Sequence, residues 1–228
     1  MGLPLQLREK VKPAQSALIV VDYQNDFVAR GGALDQAGLY AEGLASIEEP
    51  LCRVIDGARR VGCRVIFLRC EYNSRSECYL SEAWLDQAAR RWKGLYLQVP
   101  VCVAGTWGAE FCGRVQPQEG DIVVTKHRFG AFEGTDLDLV LRANRIRTLI
   151  FAGVVTHVCV ESTVRQAFFK DYFCVVPADV TAGWNEEWHR TSLAVMDWGF
   201  AEVVNSSALL QVWASTVAND AALPKSTA

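Results

Sequence analysis

The chain has 228 residues, of which 50% are hydrophobic and 21% charged, and its formal net charge at pH 7 is −3. This composition is typical of a globular α/β domain with enough length to bury a core, and it lacks the basic surplus of a nucleic-acid-binding protein. No apolar run reaches membrane-spanning length, and the N-terminus lacks the apolar stretch of a signal peptide. We therefore expect one cytoplasmic domain over residues 1–228, with its core at about 15–217.

Strand-like and helix-like segments alternate along the chain. The first strand candidate is Ala17–Val21, a continuous apolar run of the kind found in central strands that are covered on both faces. The later candidates are Arg64–Leu68, Asp121–Thr125, Thr148–Ala152, Tyr172–Val176 and Ala201–Val204. Apolar residues at helical spacing predict helices at 48–61, 136–143, from 159 onward, at 186–198 and at 206–217. The alternation predicts a three-layer α/β sandwich, Rossmann-like, with a mostly parallel sheet of about six strands flanked by helices.

One long segment, residues 71–118, has no clear periodicity. It contains Trp84, Trp92 and Trp107, and it is too long for a plain connection in a compact domain. We expect this segment to cover the functional site or to contribute to an oligomer interface.

Three residues with the chemistry of a hydrolase follow the ends of predicted strands. They are Asp22, Lys126 and Cys159, and ligands of open parallel sheets bind beyond the carboxyl ends of the strands. A carboxylate can take the proton of a thiol nucleophile, an ammonium can stabilise the thiolate, and backbone amides at a helix start can bind the oxyanion. The helix start is also expected to lower the pKa of Cys159. Taken singly, these residues could equally be a buried thiol, a strand cap and a surface charge.

The spacing of the cysteines predicts neither a zinc site nor disulfide bonds. The chain has eight cysteines and three histidines, and no two cysteines stand in C-x-x-C spacing. Cys63, Cys70 and Cys174 lie in or beside apolar runs, which is typical of buried free thiols. We expect free thiols in a reducing compartment.

Three blocks of the sequence resemble the signature blocks of the isochorismatase-like cysteine hydrolase family. They are ALIVVDYQNDF at 17–27, KHRFGAFEGTDLD at 126–138 and GVVTHVCVEST at 153–163. The similarity keeps the same order from about Ala17 to beyond Leu210, so it covers nearly the whole chain. It implies the fold of that family.

The resemblance also implies roles for particular residues. Asp22, Lys126 and Cys159 match the catalytic triad of the family. The family has a non-proline cis peptide before the nucleophile turn, which would be the Val154–Val155 bond here. The backbone amides of Val155 and Cys159 would then form the oxyanion hole.

The same resemblance narrows the reaction. Isochorismatases proper lack the nucleophilic cysteine, so the presence of Cys159 favours hydrolysis of a C–N bond. Nicotinamidases of the family bind a metal through histidines, whereas the corresponding stretch Arg69–Asn73 has none. The resemblance therefore implies a metal-free and cofactor-free amidohydrolase. Its substrate would be a small linear ureido or carbamoyl amide such as biuret, triuret, ureidoacrylate or N-carbamoylsarcosine, cleaved through a thioester with release of ammonia or an amine. It further implies a homodimer or homotetramer.

Seven residues are candidates for binding the substrate. His157 stands where relatives often have Asn or Asp, and Arg69 and Arg128 could together clamp a carboxylate. For the aromatic candidates core packing is the commoner role, and surface ion pairing explains the arginines equally well. The seven are Phe27, Tyr72, Trp107, Arg128, Phe132, Glu133 and His157.

Two other functions stay open at this point. One is a nicotinamidase or an isochorismatase-type hydrolase, and the other is a non-enzymatic thiol redox or binding protein on the same scaffold. A pure binding module would need neither Asp22 nor Lys126, which favours an enzyme. The expected partner is then a small-molecule amide, with neither nucleic acid nor a membrane.

Overall fold

The computed structural model describes residues 5–40, 42–72, 78–91 and 99–222, with side chains as far as residue 216. Within these residues seven strands form one sheet, and every pairing between them is parallel. The strands are β1 (Ser16–Val21), β2 (Arg64–Cys70), β3 (Ile122–Lys126), β4 (Thr148–Val154), β5 (Phe173–Pro177), β6 (Thr181–Ala182) and β7 (Glu202–Val204). Their spatial order is β3-β2-β1-β4-β5-β7, and the short β6 pairs with β4.

Helices cover both faces of this sheet. They are α1 (Leu7–Lys10), α2 (Asn25–Val28), α3 (Ala33–Gln36), α4 (Glu42–Ser46), α5 (Glu48–Arg60), α6 (Glu82–Arg90), α7 (Leu137–Ala143), α8 (Glu161–Phe168), α9 (Glu186–Gly199) and α10 (Ser206–Ala222). A π-helical turn at Thr156–Val160 joins β4 to α8. Short 3-10 turns lie at Pro13–Gln15, Trp107–Ala109 and Ala178–Val180.

Strand β1 lies between the two halves of the core. Alternate residues of a strand point to opposite faces, so Leu18 and Ile19 enter different clusters. On the Leu18 side the core is closed by buried residues of α5 and α10, among them Leu51 and Trp213. On the Ile19 side it is closed by α7, α8 and α9, for example by Val164 of α8. This double burial explains why β1 is apolar at nearly every position.

The predicted architecture is confirmed, and the six predicted strands begin and end within two residues of the observed ones. Strand β6 was not predicted, because two residues carry no periodicity. Helices α1 to α4 and α6 were also not predicted; four of them have only four or five residues, too few for an apolar stripe to be read. The regular helix expected from Cys159 begins at Glu161, because the π-helical turn precedes it.

The described parts of the aperiodic segment, residues 71–72, 78–91 and 99–118, pack against residues that follow the carboxyl ends of the strands. The segment contains α6, and Gln24 forms an antiparallel bridge with its Phe111. Trp84 of α6 packs against Tyr72 and Phe129, with ring centroids 5.1 and 4.9 Å apart. Trp92 lies outside the described residues. Across the described ranges, no helix is long and apolar enough to cross a membrane.

Candidate active site

A buried ion pair lies at the carboxyl end of the sheet. Lys126 Nζ, at the end of β3, is 2.7 Å from Asp22 Oδ2, which follows β1. Their side chains are 0% and 1% exposed. Lys126 Nζ also donates a hydrogen bond to the carbonyl oxygen of Arg128 at 3.0 Å. The lysine therefore reaches the carboxylate across the intervening strand β2.

The backbone of Asp22 holds an unusual conformation. Its φ is +46°, in the left-handed region that residues other than glycine rarely adopt. Its N–H donates to Leu68 O at 3.1 Å, and its carbonyl accepts from Gln24 N at 2.7 Å. These two hydrogen bonds fix the turn that takes the chain out of β1 beside Lys126. Non-glycine residues in this region often mark functional sites.

Cys159 lies in the π-helical turn beyond β4, and it is 3% exposed. Its Sγ is 3.4 Å from the hydroxyl oxygen of Tyr72, which follows β2. The Thr163 hydroxyl donates to the carbonyl oxygen of Cys159 at 2.7 Å. Such turns are rare and occur often at functional sites. The Val154–Val155 peptide bond just before the turn is cis, as predicted.

For Asp22 and for Lys126, burial and the neighbouring charges shift the pKa in opposite directions. Burial raises the pKa of Asp22, although the charge of Lys126 and hydrogen bonds with Lys126 and Cys159 oppose this shift. Burial alone would lower the pKa of Lys126, but the neighbouring charges of Asp22 and Cys159 outweigh it and raise that pKa. The lysine is therefore an ammonium at neutral pH.

The predicted lowering of the thiol pKa is wrong. Burial raises the pKa of Cys159, and the nearby charge of Lys126 only partly opposes it. The prediction considered the helix start alone, whereas removing a thiolate from water is the larger effect here. At neutral pH the group is a thiol, held beside the Asp22–Lys126 pair. Cys63, Cys70 and Cys174 are buried free thiols, as predicted.

A cavity of about 740 Å³ opens above Cys159. Most of its wall is aliphatic or aromatic, and its polar side chains lie mainly along α8 and α9. The described residues that line it are Phe27, Leu34, Tyr72, Arg91, Val101, Phe129, Val155, His157, Val158, Cys159, Glu161, Trp184, Glu187, Trp188, Thr191, Ser192 and Val195. Asp22 and Lys126 lie beneath this wall, so Cys159 is the member of the predicted triad that faces the cavity.

Three of the seven predicted substrate-binding residues line this cavity: Phe27, Tyr72 and His157. The His157 ring packs edge-on against Trp184 and Trp188, with centroid distances of 4.7 and 5.3 Å. Burial, together with the charge of His189, lowers the pKa of His157 to about 4. His157 is therefore neutral at pH 7.

The other four predicted residues lie outside the cavity wall. Trp107 is 51% exposed, and Glu133 is exposed as well. Phe132 packs near Tyr172, with ring centroids 6.1 Å apart. Phe132 and Glu133 belong to the sequence block at 126–138, but their side chains do not line the cavity.

The arginine clamp is also not formed. The Arg128 guanidinium donates to the carbonyl oxygen of Tyr79 at 3.1 Å and lies 5.2 Å from the Trp84 ring. Arg69 pairs with Glu71 at 3.2 Å. Arg128 instead serves the site through its carbonyl group, which accepts from Lys126.

Several lining residues were not predicted from the sequence. Trp188, Thr191, Ser192 and Val195 follow helical spacing along one face of α9, and that pattern is visible in the sequence. Nothing in the sequence shows that this face meets the cavity rather than the core. Within the described part of the chain, no three His, Cys, Asp or Glu side chains converge as a metal site requires.

The chain is similar to known proteins in family, sequence and structure. The isochorismatase domain family model matches residues 16–208. The chain is 37% identical over 179 residues to the ureidoacrylate amidohydrolase RutB of Agrobacterium fabrum, an alignment that covers 75% of this chain and 77% of that protein.

Solved structures give the same assignment. A cysteine hydrolase from Pseudomonas syringae superposes with a TM-score of 0.78 at 28% identity, covering 94% of this chain and 99% of its own. An N-carbamoylsarcosine amidase from Thermoplasma acidophilum gives a TM-score of 0.66 at 26% identity, covering 84% and 96%. The chain belongs to the isochorismatase family, and it is a hydrolase of that family.

Proposed function

We propose that this hydrolase cleaves a C–N bond of a ureido or carbamoyl compound, with Cys159 as nucleophile and Asp22 and Lys126 as its catalytic partners. The observation that carries the proposal is the buried Asp22–Lys126 pair beneath a thiol that faces a cavity. Two buried charges are unfavourable unless they are well paired, and a purely structural role would be served as well by apolar side chains.

In the first step the Cys159 sulfur attacks the carbonyl carbon of the substrate. Asp22 takes the thiol proton as the S–C bond forms, since the raised pKa of Cys159 keeps the group protonated until then. The electron pair of the carbonyl bond moves to oxygen, and the amides of Val155 and Cys159 donate to this oxyanion. The ammonium of Lys126 stabilises the negative charge that develops on the sulfur while its proton is transferred to Asp22.

In the second step the C–N bond breaks. Protonated Asp22 returns its proton to the departing nitrogen, so that ammonia or an amine leaves and a thioester remains on Cys159. Asp22 then takes a proton from a water molecule, whose oxygen attacks the thioester carbon. The C–S bond breaks, the thiol regains the proton, and the acid product leaves.

The named relatives support the substrate class. Ureidoacrylate amidohydrolase and N-carbamoylsarcosine amidase are both named for compounds that carry a carbamoyl-nitrogen unit. A planar unit of this kind presents a carbonyl carbon to a nucleophile and a nitrogen that can leave once protonated. Such a unit fits the chemistry proposed for Cys159.

The proposal is tested by ammonia release from a panel of ureas, biuret, N-carbamoyl amino acids and nicotinamide. We expect turnover of ureido or carbamoyl members by the wild-type enzyme and none by Cys159→Ala. Cys174→Ala is the matched control, because Cys174 is a buried thiol in β5 outside the cavity wall. Circular dichroism checks that both variants fold. Substantial activity in Cys159→Ala would refute the proposal.

A further inference from the structure

The cavity above Cys159 is much larger than a small ureido compound requires. Its volume of about 740 Å³ equals roughly 25 water molecules at ~30 Å³ each. Cavities of this size usually hold ligands that include ring systems, and they bind them mainly through apolar contact. The wall offers such contact through Phe27, Phe129, Trp184 and Trp188. A substrate substituent the size of an aromatic ring therefore fits beside the carbonyl group that Cys159 attacks.

His157 is a polar but uncharged side chain in this largely apolar wall. Both ring nitrogens are buried, and neither has a hydrogen-bond partner among the described residues. A buried polar group without a partner costs about 1–3 kcal/mol, so a ligand that supplies the partner is favoured. A neutral imidazole offers one donor and one acceptor, which matches the C=O and N–H of a ureido or carboxamide group.

Among the described side chains of the wall two are carboxylates and one is a guanidinium, a balance that disfavours an anionic substrate group. The Glu161 carboxylate lines the cavity, where it pairs with Arg165 at 2.6 Å and accepts from Ser192 Oγ at 2.5 Å. Glu187 lines the wall next to Trp188 in α9. The guanidinium of Arg91, the cation of the described wall, lies 5.0 Å from the centre of the Phe129 ring.

We infer that His157 is a specificity-determining residue that hydrogen-bonds an uncharged ureido or carboxamide group of the substrate. It selects ureido compounds with a ring-sized apolar substituent over those that carry a carboxylate. The inference rests on the proposed function, because it takes Cys159 as the attacking group. A carboxylate bound at Arg91 instead is the competing outcome that the experiment separates.

Ligand affinity is measured in the Cys159→Ala variant. This variant lacks the proposed nucleophile, so binding is observed without the chemical step. Four matched ligands are titrated by calorimetry: benzylurea, 4-carboxybenzylurea, methylurea and N-carbamoylglycine. We expect benzylurea to bind at least tenfold more tightly than each of the others. Adding His157→Phe should weaken benzylurea binding about tenfold, which is one neutral hydrogen bond.

Two further variants give the controls. His127→Phe replaces a histidine outside the cavity wall, which stacks on Tyr79 with centroids 3.5 Å apart, and it should leave all four affinities unchanged. Trp198→Ala, at a residue 86% exposed in the same helix as Trp188, should do the same, whereas Trp188→Ala should weaken benzylurea selectively.

Three results would overturn the inference. They are tighter binding of either carboxylate ligand than of its neutral partner, unchanged benzylurea binding in His157→Phe, and no measurable binding of benzylurea. Each of these leaves the proposed function standing if wild-type enzyme releases ammonia from a ureido compound in a Cys159-dependent manner. Turnover that does not depend on Cys159 would instead refute the proposed function.

Discussion

Lys126 Nζ and Asp22 Oδ2 are 2.7 Å apart, in side chains that are 0% and 1% exposed. Burying two charges forfeits hydration worth several kcal/mol per ion, and mutual attraction regains it only in good geometry. The pair therefore adds little net stability over apolar residues of similar volume, while each partner alone would be a buried unpaired charge. This asymmetry gives a test that separates a functional pair from a stabilising one.

The single variants Lys126→Met and Asp22→Asn should each be destabilised by about 3–5 kcal/mol, because each leaves its partner unpaired. The double variant should recover most of that loss while remaining inactive. Urea unfolding monitored by fluorescence measures the free energy of unfolding of all four proteins. Single variants as stable as the wild type would show that the pair does not behave as a buried ion pair.

Alkylation should report the raised pKa of Cys159. Since burial raises this pKa, the rate of reaction with iodoacetamide should still be increasing above pH 9. Lys126→Met removes the charge that opposes the shift, so it should slow the reaction at every pH. Peptide mass spectrometry follows Cys159, and the exposed Cys78 is the internal reference. A rate for Cys159 that reaches its plateau near pH 7 would mean that a thiolate is already formed.

His157 should make folding sensitive to acid. Its pKa is lowered to about 4 in the folded protein, from an ordinary value of 6.5. Between these two values the unfolded chain binds a proton that the folded chain does not, so stability from this residue is lost as the pH falls. The loss is at most about 1.4 kcal/mol per pH unit. Urea unfolding at pH 7, 6 and 5 measures it.

The comparison variant for this effect is His157→Phe, which keeps an aromatic ring between the two tryptophans. It should show a shallower fall in stability with acid than the wild type. His189 also has a pKa lowered by burial and contributes its own slope in both proteins, so the difference between the two proteins is the quantity to compare. Identical slopes would contradict the buried neutral state of His157.

Gly153 should tolerate no side chain. Its φ is +109°, and an added Cβ would clash with the backbone of Val21, its partner in the β1–β4 ladder. Gly153→Ala should therefore destabilise the protein by more than about 2 kcal/mol, since it combines a strained conformation with overpacking. Gly120 also has a positive φ, +93°, but open space around its Cα. Gly120→Ala therefore measures the cost of the strained conformation without overpacking. Thermal unfolding of both variants should show the larger loss at Gly153.

The sequence predicts the sheet well because apolar runs record burial on both faces. It also predicts the meeting of Asp22 and Lys126, since the carboxyl ends of parallel strands share one edge of the sheet. The cavity wall is harder to predict, because it is assembled from segments far apart in the chain. Phe132 and Glu133 lie in a signature block and yet face away, whereas Trp188 lies outside the blocks and faces in.

The pKa of Cys159 was predicted in the wrong direction for a related reason. The local sequence shows the start of a helix, which favours a thiolate. Burial of the sulfur depends on Tyr72 and on the segments folded over the sheet, and none of these is visible at positions 153–163. Tertiary packing thus decides the chemistry of the thiol as much as its local turn does.

The most direct test of the account is the detection of a covalent intermediate on Cys159. Wild-type enzyme and Asp22→Asn are mixed with excess substrate, quenched in acid during turnover and mapped by peptide mass spectrometry. The account predicts that the peptide with Cys159 gains the mass of the substrate's acyl group, and that the mass disappears when the substrate is consumed. Full turnover with the adduct on another residue, or with unmodified Cys159 in both proteins, would contradict it.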